Sequence, residues 1–335
     1  MKTAVILFNL GGPDSLDAVR PFLFNLFNDK AIIGAPQPMR WLLAKYISGK
    51  RAPIAQDIYR QLGGKSPLLE QTQSQAQALQ DLLGSDFKVL IAMRYWHPFA
   101  EEALAEARQW GAEQVILLPL YPQFSTTTSG SSFKQWHQLA KGMFSTTRTV
   151  CCYPEQPGLV AAMVDLIRAE WTKACAVGPV RLLFSAHGLP QSIVDKGDPY
   201  PRQVEQTARA VVKALAMEGL AIGESDWAIC YQSRVGPAQW IGPSTEDELA
   251  RAAADKRVVV VAPIAFVSEH SETLVELDVE YRHLAEKLGI GGYFRVPALA
   301  SHPRFIEGLA QLVRDPSALR GRACAATTCL CAEEP

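Results

Sequence analysis

The chain has 335 residues, 48% of them hydrophobic and 20% charged, and a formal net charge of −1. That length buries a large core and suggests two domains, while the near-neutral charge argues against a general nucleic-acid surface, which needs clustered Lys and Arg. No apolar run approaches the roughly 20 residues of a membrane-spanning helix, and the opening MKTAVILFNLGGPDS reads as a first strand with no cleavage site, so cytoplasmic residence is expected.

In chain order, short β-rich runs alternate with longer helical patterns, the signature of parallel βαβ units. The first half offers strands at 4–8, 88–93, 114–118 and 148–152, the second at 181–185, 227–231, 258–264 and 293–296. Four strands per half predict two doubly wound, Rossmann-like α/β domains, 1–160 and 161–335, with the site in a cleft at strand carboxyl ends. The run LFNLGGPDSL from Leu7 and the run LFSAHGLPQSI from Leu183 share a plan of strand end, glycine, proline and helix opening.

Between Asn28 and Gly64 a basic segment carries apolar residues. It reads either as an excursion covering the core or as an apolar lip, 30–50, that touches a membrane surface through Trp41, Leu42 and Leu43. GGKS at Gly63–Ser66 is no phosphate loop, because the required upstream glycine is Tyr59. Asn9–Pro13 follows a strand but lacks G-x-G-x-x-G, so no nucleotide cofactor is expected. Neither H-E-x-x-H nor G-x-S-x-G occurs.

His187 closes an apolar run before Gly188 and Pro190 and should project from a sheet edge. Further on, four valines at 258–261 look like a strand buried on both faces. The helix expected from Ser268 sets Leu274, Leu277 and Tyr281 on one stripe, and Glu269, Glu272, Glu276 and Glu280 on another. No Lys or Arg lies between Arg257 and Arg282 to relieve that acidic stripe, although like charges at i, i+4 cost about 0.2–0.5 kcal/mol per pair. With His270 beside them, these carboxylates suit divalent metal or proton traffic; a solvated acidic face is the alternative.

Seven cysteines in a cytoplasmic-looking chain disfavour a disulfide framework. Cys324, Cys329 and Cys331 crowd a cysteine-rich tail, 322–335. With a fourth ligand from elsewhere they suit an iron–sulfur cluster; zinc held by thiolates and an unliganded tail are the rivals.

NLGGP (Asn9–Pro13), GGKSP (Gly63–Pro67), RYWHP (Arg94–Pro98), YPQFS (Tyr121–Ser125), FSAHGLP (Phe184–Pro190), GDPYP (Gly197–Pro201), QSRVGPAQWIGP (Gln232–Pro243) and FVSEHSETLVELDVEY (Phe266–Tyr281) occur in this order. Together they resemble the ferrochelatases, which insert ferrous iron into a porphyrin. The resemblance runs nearly end to end and implies a chelatase-type fold of two Rossmann-like domains with the porphyrin in the cleft between them. It implies His187 and Glu272 as the pair for Fe2+, the metal substrate, with His270, Glu269, Glu276 and Glu280 as the acidic chain leading away. Leu10, Arg94, Tyr95, Tyr121, Tyr200, Ser233, Trp240 and Phe266 match positions around the macrocycle, and Lys50, Arg51 and Ser66 match propionate contacts.

The expected reaction is release of two pyrrole protons as Fe2+ enters protoporphyrin IX, with Trp240, Tyr200, Leu10 and Phe266 bending the ring. Neutral His187 is the expected proton acceptor, and Glu272, Glu276 and Glu280 the relay. Coproporphyrin III is the alternative substrate. A non-catalytic haem or metal binding protein and an iron–sulfur oxidoreductase are the rival functions. The resemblance also implies a [2Fe-2S] cluster on the tail. Thr126 stands where animal enzymes have a ligand, so the fourth ligand is expected from Cys152, or from Cys151. A homodimer and peripheral contact with an inner membrane complete the expectations.

Overall fold

A computed structural model describes residues 1–220, 222–234, 238–315 and the strand Arg322–Cys324. It divides into two compact units, Met1–Cys152 with Leu309–Cys324, and, among the described residues, Tyr153–Gly308.

The first unit is a parallel sheet in the order β2-β1-β3-β4-β9. Its strands are β1 (Thr3–Asn9), β2 (Phe87–Met93), β3 (Gln114–Pro119), β4 (Thr146–Cys152) and β9 (Arg322–Cys324). Every residue of β1 is buried, because helices cover both faces of a parallel sheet and β1 lies between β2 and β3. Four of these strands match the expectation, and the fifth is an addition. β9 pairs along β4 with Cys152 opposite Cys324, across a bulge that skips Cys151. The expected exposed tail thus contributes a strand before its last two cysteines; Cys329 and Cys331 lie outside the described residues.

Around this sheet lie α1 (Val19–Phe27), α2 (Met39–Gln61), α3 (Leu68–Leu83), α4 (Ala100–Trp110) and α5 (Ser129–Leu139). Two glycines set the turn after β1. Gly11 has φ +85°, and a Cβ there would lie 2.9 Å from the Trp96 backbone nitrogen. A Cβ on its neighbour Gly12 would collide with the Ser66 side chain. NLGGP and GGKSP are therefore packed together, and the Ser66 amide donates to the Pro13 carbonyl at 2.8 Å.

The second unit is a parallel sheet in the order β6-β5-β7-β8. Its strands are β5 (Val180–His187), β6 (Trp227–Gln232), β7 (Val258–Pro263) and β8 (Tyr293–Arg295). β7, carrying the four valines, is buried throughout. The helices are α6 (Pro157–Cys175), α7 (Gln191–Val194), α8 (Tyr200–Met217), α9 (Thr245–Ala254) and α10 (Tyr281–Lys287), and α11 (Pro303–Arg314) crosses from this unit to the first.

The acidic segment departs from the expected α-helix. Glu272–Glu280 is a nine-residue π-helix running directly into α10. Its i→i+5 hydrogen bonds widen the turn, a geometry that recurs at functional sites.

Candidate active site

His187 is the last residue of β5 and pairs in register with Gln232, the last residue of β6. The π-helix begins beside them at Glu272. His187 Nδ1 lies 2.6 Å from the Gly188 carbonyl, so Nδ1–H donates there and Nε2 turns toward Glu272. Nε2 is 3.6 Å from Glu272 Oε1, an ion-pair contact longer than a hydrogen bond. On its other side Glu272 Oε2 lies 3.7 Å from His270 Nε2, so one carboxylate faces two imidazoles. The side chains of His187 and Glu272 stay 39% and 30% open, which leaves room for a substrate to reach both. Phe266 packs its ring edge-on against His270 at 4.4 Å and His187 at 6.5 Å, fixing both ring planes.

The charge states differ from the expected ones. Burial works against a cationic His187, but the charge of Glu272, the bond to Gly188 and the more distant Glu276 outweigh it, and its pKa is pushed up to about 9. Burial alone would raise Glu272; the two histidines instead bring it down to about 2. At neutral pH the resting pair is therefore imidazolium and carboxylate, and His187 is not the neutral acceptor expected from an unperturbed histidine. The neutral imidazole is His270, whose pKa burial lowers despite Glu272 and Glu269. Its Nδ1 lies 3.4 Å from Thr273 Oγ1.

Glu276 is gripped from several sides. Its Oε1 accepts from the Ser233 amide at 2.8 Å and from the Tyr281 hydroxyl at 3.1 Å. Its Oε2 accepts from Ser233 Oγ at 2.5 Å and from Gln232 Nε2 at 3.1 Å. Burial and the nearby Glu272 charge raise its pKa, although the Ser233 bonds pull the other way. Ser233 adopts φ +62°, a left-handed backbone uncommon for serine, so the grip on Glu276 is held by a strained residue. Gln232 is fully buried; it also donates to the Glu272 carbonyl at 3.1 Å and accepts from Ser185 Oγ at 2.7 Å.

Two members of the expected acidic chain stand apart. Glu269 is bonded to Arg295 at 2.5 Å and accepts from the Ala298 amide at 2.8 Å, so its charge is neutralised inside the fold. The expectation of carboxylates without a basic partner fails here, because Arg295 arrives from β8 and also holds Asp278 at 2.6 Å. Glu280 ends the π-helix exposed to solvent.

Of the other positions in this unit, Tyr200 is buried, with its phenol reaching the backbone of His187. Trp240 forms an isolated bridge with Pro190, and its ring would lie 3.2 Å from a Cβ placed on Gly188.

In the first unit, Arg94 is committed to Asp29 at 2.8 Å, to Ser131 at 2.9 Å and to Gln135 at 3.2 Å. Tyr95 is 1% exposed and donates to Asp29 at 2.9 Å, which makes it part of the packed interior. The Tyr121 hydroxyl is buried with no hydrogen-bond partner among the described residues. Leu10 is half-buried; its carbonyl accepts from the Tyr95 amide at 2.9 Å. Ser66 is buried, with its Oγ 3.3 Å from the Leu68 amide. Lys50 and Arg51 on α2 lie over the rings of Tyr46 and Phe27 at 5.1 and 6.0 Å.

Gln232, Asp29 and Arg295 were not singled out from the sequence, and Tyr281 was read only as a member of the apolar stripe. Gln232 and Tyr281 lie at the ends of quoted motifs, whereas Asp29 and Arg295 carry no local signal.

The ferrochelatase family model matches residues 2–317. Ferrochelatase of Caulobacter vibrioides strain NA1000 is 54% identical over 319 residues, 94% of this chain and 90% of that protein. Ferrochelatase of Wolbachia sp. subsp. Drosophila simulans is 52% identical over 318 residues, 93% of this chain and 98% of that protein. Among solved structures, the sirohydrochlorin chelatase SirB from Bacillus subtilis subspecies spizizenii in complex with cobalt aligns with TM-score 0.52 at 11% identity, covering 95% of this chain and 96% of that one. CbiX, a terminal enzyme of siroheme biosynthesis in denitrifying bacteria, aligns with TM-score 0.51 at 14% identity, covering 94% and 98%. These two support the fold alone.

Proposed function

The chain belongs to the ferrochelatase family, and from that premise we propose that it is a lyase inserting Fe2+ into protoporphyrin IX in haem biosynthesis. The observation that carries this reading is the meeting of His187 Nε2 with Glu272 at the carboxyl end of β5, both side chains still partly open.

The porphyrin must lose two pyrrole protons as the metal enters. In the resting site Glu272 is paired with the His187 cation, so arriving Fe2+ competes with that cation for the carboxylate. Once the metal takes up the Glu272 charge, the largest force raising His187 is removed and the imidazolium passes its proton to water at its open edge. It is then a base of ordinary strength, suited to accept a pyrrole proton near neutral pH. Glu276, raised by burial, takes protons onward from the centre. Phe266 holds the His187 ring, and Trp240 supplies a flat apolar wall against which a bent macrocycle is favoured; distortion of that kind draws on about 1–5 kcal/mol of binding energy.

His187→Ala should abolish anaerobic Fe2+ insertion while leaving tight protoporphyrin binding by fluorescence quenching. Wild-type turnover in that variant would remove the reading. Side-by-side kinetics should favour protoporphyrin IX over coproporphyrin III. The exposed Lys50 and half-buried Arg51 suit two propionates, whereas Arg94 is already neutralised by Asp29.

We also propose cytoplasmic residence with the apolar residues of α2 at a membrane surface, and a [2Fe-2S] cluster on the tail. The pairing of Cys152 with Cys324 supports the cluster: facing Cα positions in neighbouring strands are about 5 Å apart, a spacing two thiolates of one cluster can use. Cys152 and Cys324 would hold it with Cys329 and Cys331, and it would supply a cross-link between tail and sheet. Purified protein should contain iron and acid-labile sulfide, and Cys152→Ser should lose both.

A further inference from the structure

Beyond Glu276, a row of three oxygens passes through the Tyr281 hydroxyl, which the Thr245 side chain also meets. Tyr281 Oη is 3.1 Å from Glu276 Oε1 and 3.3 Å from Glu246 Oε1. A phenol has one proton to donate. With both carboxylates ionised, one of these contacts would set lone pair against lone pair, and a proton on Glu276 removes the conflict.

The fold holds this row in place. Tyr281 is the first residue of α10, 5% exposed and packed among Leu249, Ala252 and Leu277. Glu246 lies in the first turn of α9 and is exposed, so the row runs from half-buried Glu276 to solvent. The Glu276 carboxyl takes its hydrogen bonds from Gln232, Ser233 and Tyr281.

We propose that Tyr281 and Glu246 are the exit by which a proton on Glu276 leaves the site, across to α9 and not down the π-helix to Glu280. This rests on the chelatase reading, which requires two protons to depart for each metal inserted. In each passage the Glu276 O–H bond breaks as its proton joins a lone pair of the Tyr281 oxygen. The original Tyr281 O–H bond breaks, and that proton bonds to Glu246 Oε1. One proton has moved, the phenol is regenerated, and rotation of its hydroxyl resets the row. Glu246 then releases the proton to water. Tyr281 and Glu246 act through Glu276 and are positioning residues for the reaction.

The test compares wild type, Tyr281→Phe and Glu246→Gln in anaerobic Fe2+ insertion into protoporphyrin IX. Tyr281→Phe keeps the packed ring and should lower kcat at least about tenfold, with the porphyrin KM held within about twofold. Glu246→Gln changes an exposed group, so folding is not at risk. It should lower kcat and recover when a sulfonate buffer is raised at fixed pH and ionic strength, because buffer can then take the proton from Tyr281. Wild type should be insensitive to that buffer. Unchanged kcat in both variants overturns the exit, as does a loss in Glu246→Gln that buffer does not restore. Wild type that inserts no iron removes the chelatase reading and the exit with it.

Discussion

Glu272 sits between two imidazoles, and the two respond oppositely. His187, closer to solvent and backed by the Gly188 carbonyl, is stabilised as a cation, while the more enclosed His270 is held neutral. The pair's contribution to stability therefore has a window. The raised histidine stabilises the fold fully below its unfolded value near 6.5 and ceases to do so as pH rises through about 9. The lowered carboxyl contributes above its unfolded value near 4.5 and is lost as pH falls toward about 2. Both are present between about pH 4.5 and 6.5. Glu272→Gln should show its largest Tm deficit against wild type in that window, with the gap closing as pH climbs past 9, followed by differential scanning fluorimetry across pH. A deficit independent of pH would mean that packing, not charge, couples the two side chains; the open edge of His187 also keeps the effect modest.

The segment from Ser268 to Lys287 couples the site to the sheet, and it is the element whose form differs most from its sequence pattern. Its amphipathicity was legible, because Leu277 and Tyr281 do face the core. Its pitch was not, since glutamates spaced by four fit an α-helix about as well as a π-helix, and the choice comes from what the side chains must reach. Asp278 and Glu269 reach Arg295 on β8, and Glu276 reaches Ser233 beyond β6. These partners are separated by 17, 26 and 43 residues, beyond any local pattern. Interior strands such as β1 and β7 were legible for the opposite reason: they declare themselves as continuous apolar runs, whereas β9 is a three-residue edge strand without one. Arg295 is the anchor of the segment, with its side chain 11% exposed between two carboxylates. Removing it takes the cation at 2.5 Å from Glu269 and leaves Asp278 the longer contact with Arg282 at 3.8 Å, so Arg295→Ala should cost about 3–5 kcal/mol in urea unfolding. Arg295→Lys should recover only part, because an ammonium cannot match the bidentate hold on Asp278. A loss below about 1 kcal/mol would show that solvent screens the network and that β8 does not anchor the helix.

At the scale of the whole molecule, the two units present different surfaces. The second gathers His187, His270, Glu272 and Glu276 into one cluster beyond the carboxyl end of β5. The first carries a stripe of exposed apolar residues on α2: Met39, Leu42, Leu43 and Tyr46 recur at i, i+3, i+4 and i+7, with Trp41 beside them. Lys45 lies over the Trp41 ring and Lys50 over Tyr46, so ammonium groups flank the apolar side chains. A helix with apolar anchors and flanking cations lies in the interface of an anionic bilayer, its apolar groups in the acyl boundary and its charges at the headgroups. No helix among the described residues is long and apolar enough to cross a membrane, so any attachment through α2 is of this surface kind. Such binding suits the proposed substrate, protoporphyrin, which is apolar enough to partition into the same layer. The protein should co-sediment with vesicles containing phosphatidylglycerol. Each leucine is already half-buried or more exposed, so its insertion contributes on the order of 1 kcal/mol, and Leu42→Glu with Leu43→Glu should weaken binding at least about tenfold. Lys45→Gln with Lys50→Gln should weaken it less, and wild-type binding should fall as salt is raised. Turnover with detergent-dispersed porphyrin should persist in the leucine pair, whereas the lysine pair, which removes the proposed propionate contact Lys50, should raise the porphyrin KM. Wild type that stays in the supernatant with anionic vesicles would instead leave the α2 stripe to another partner.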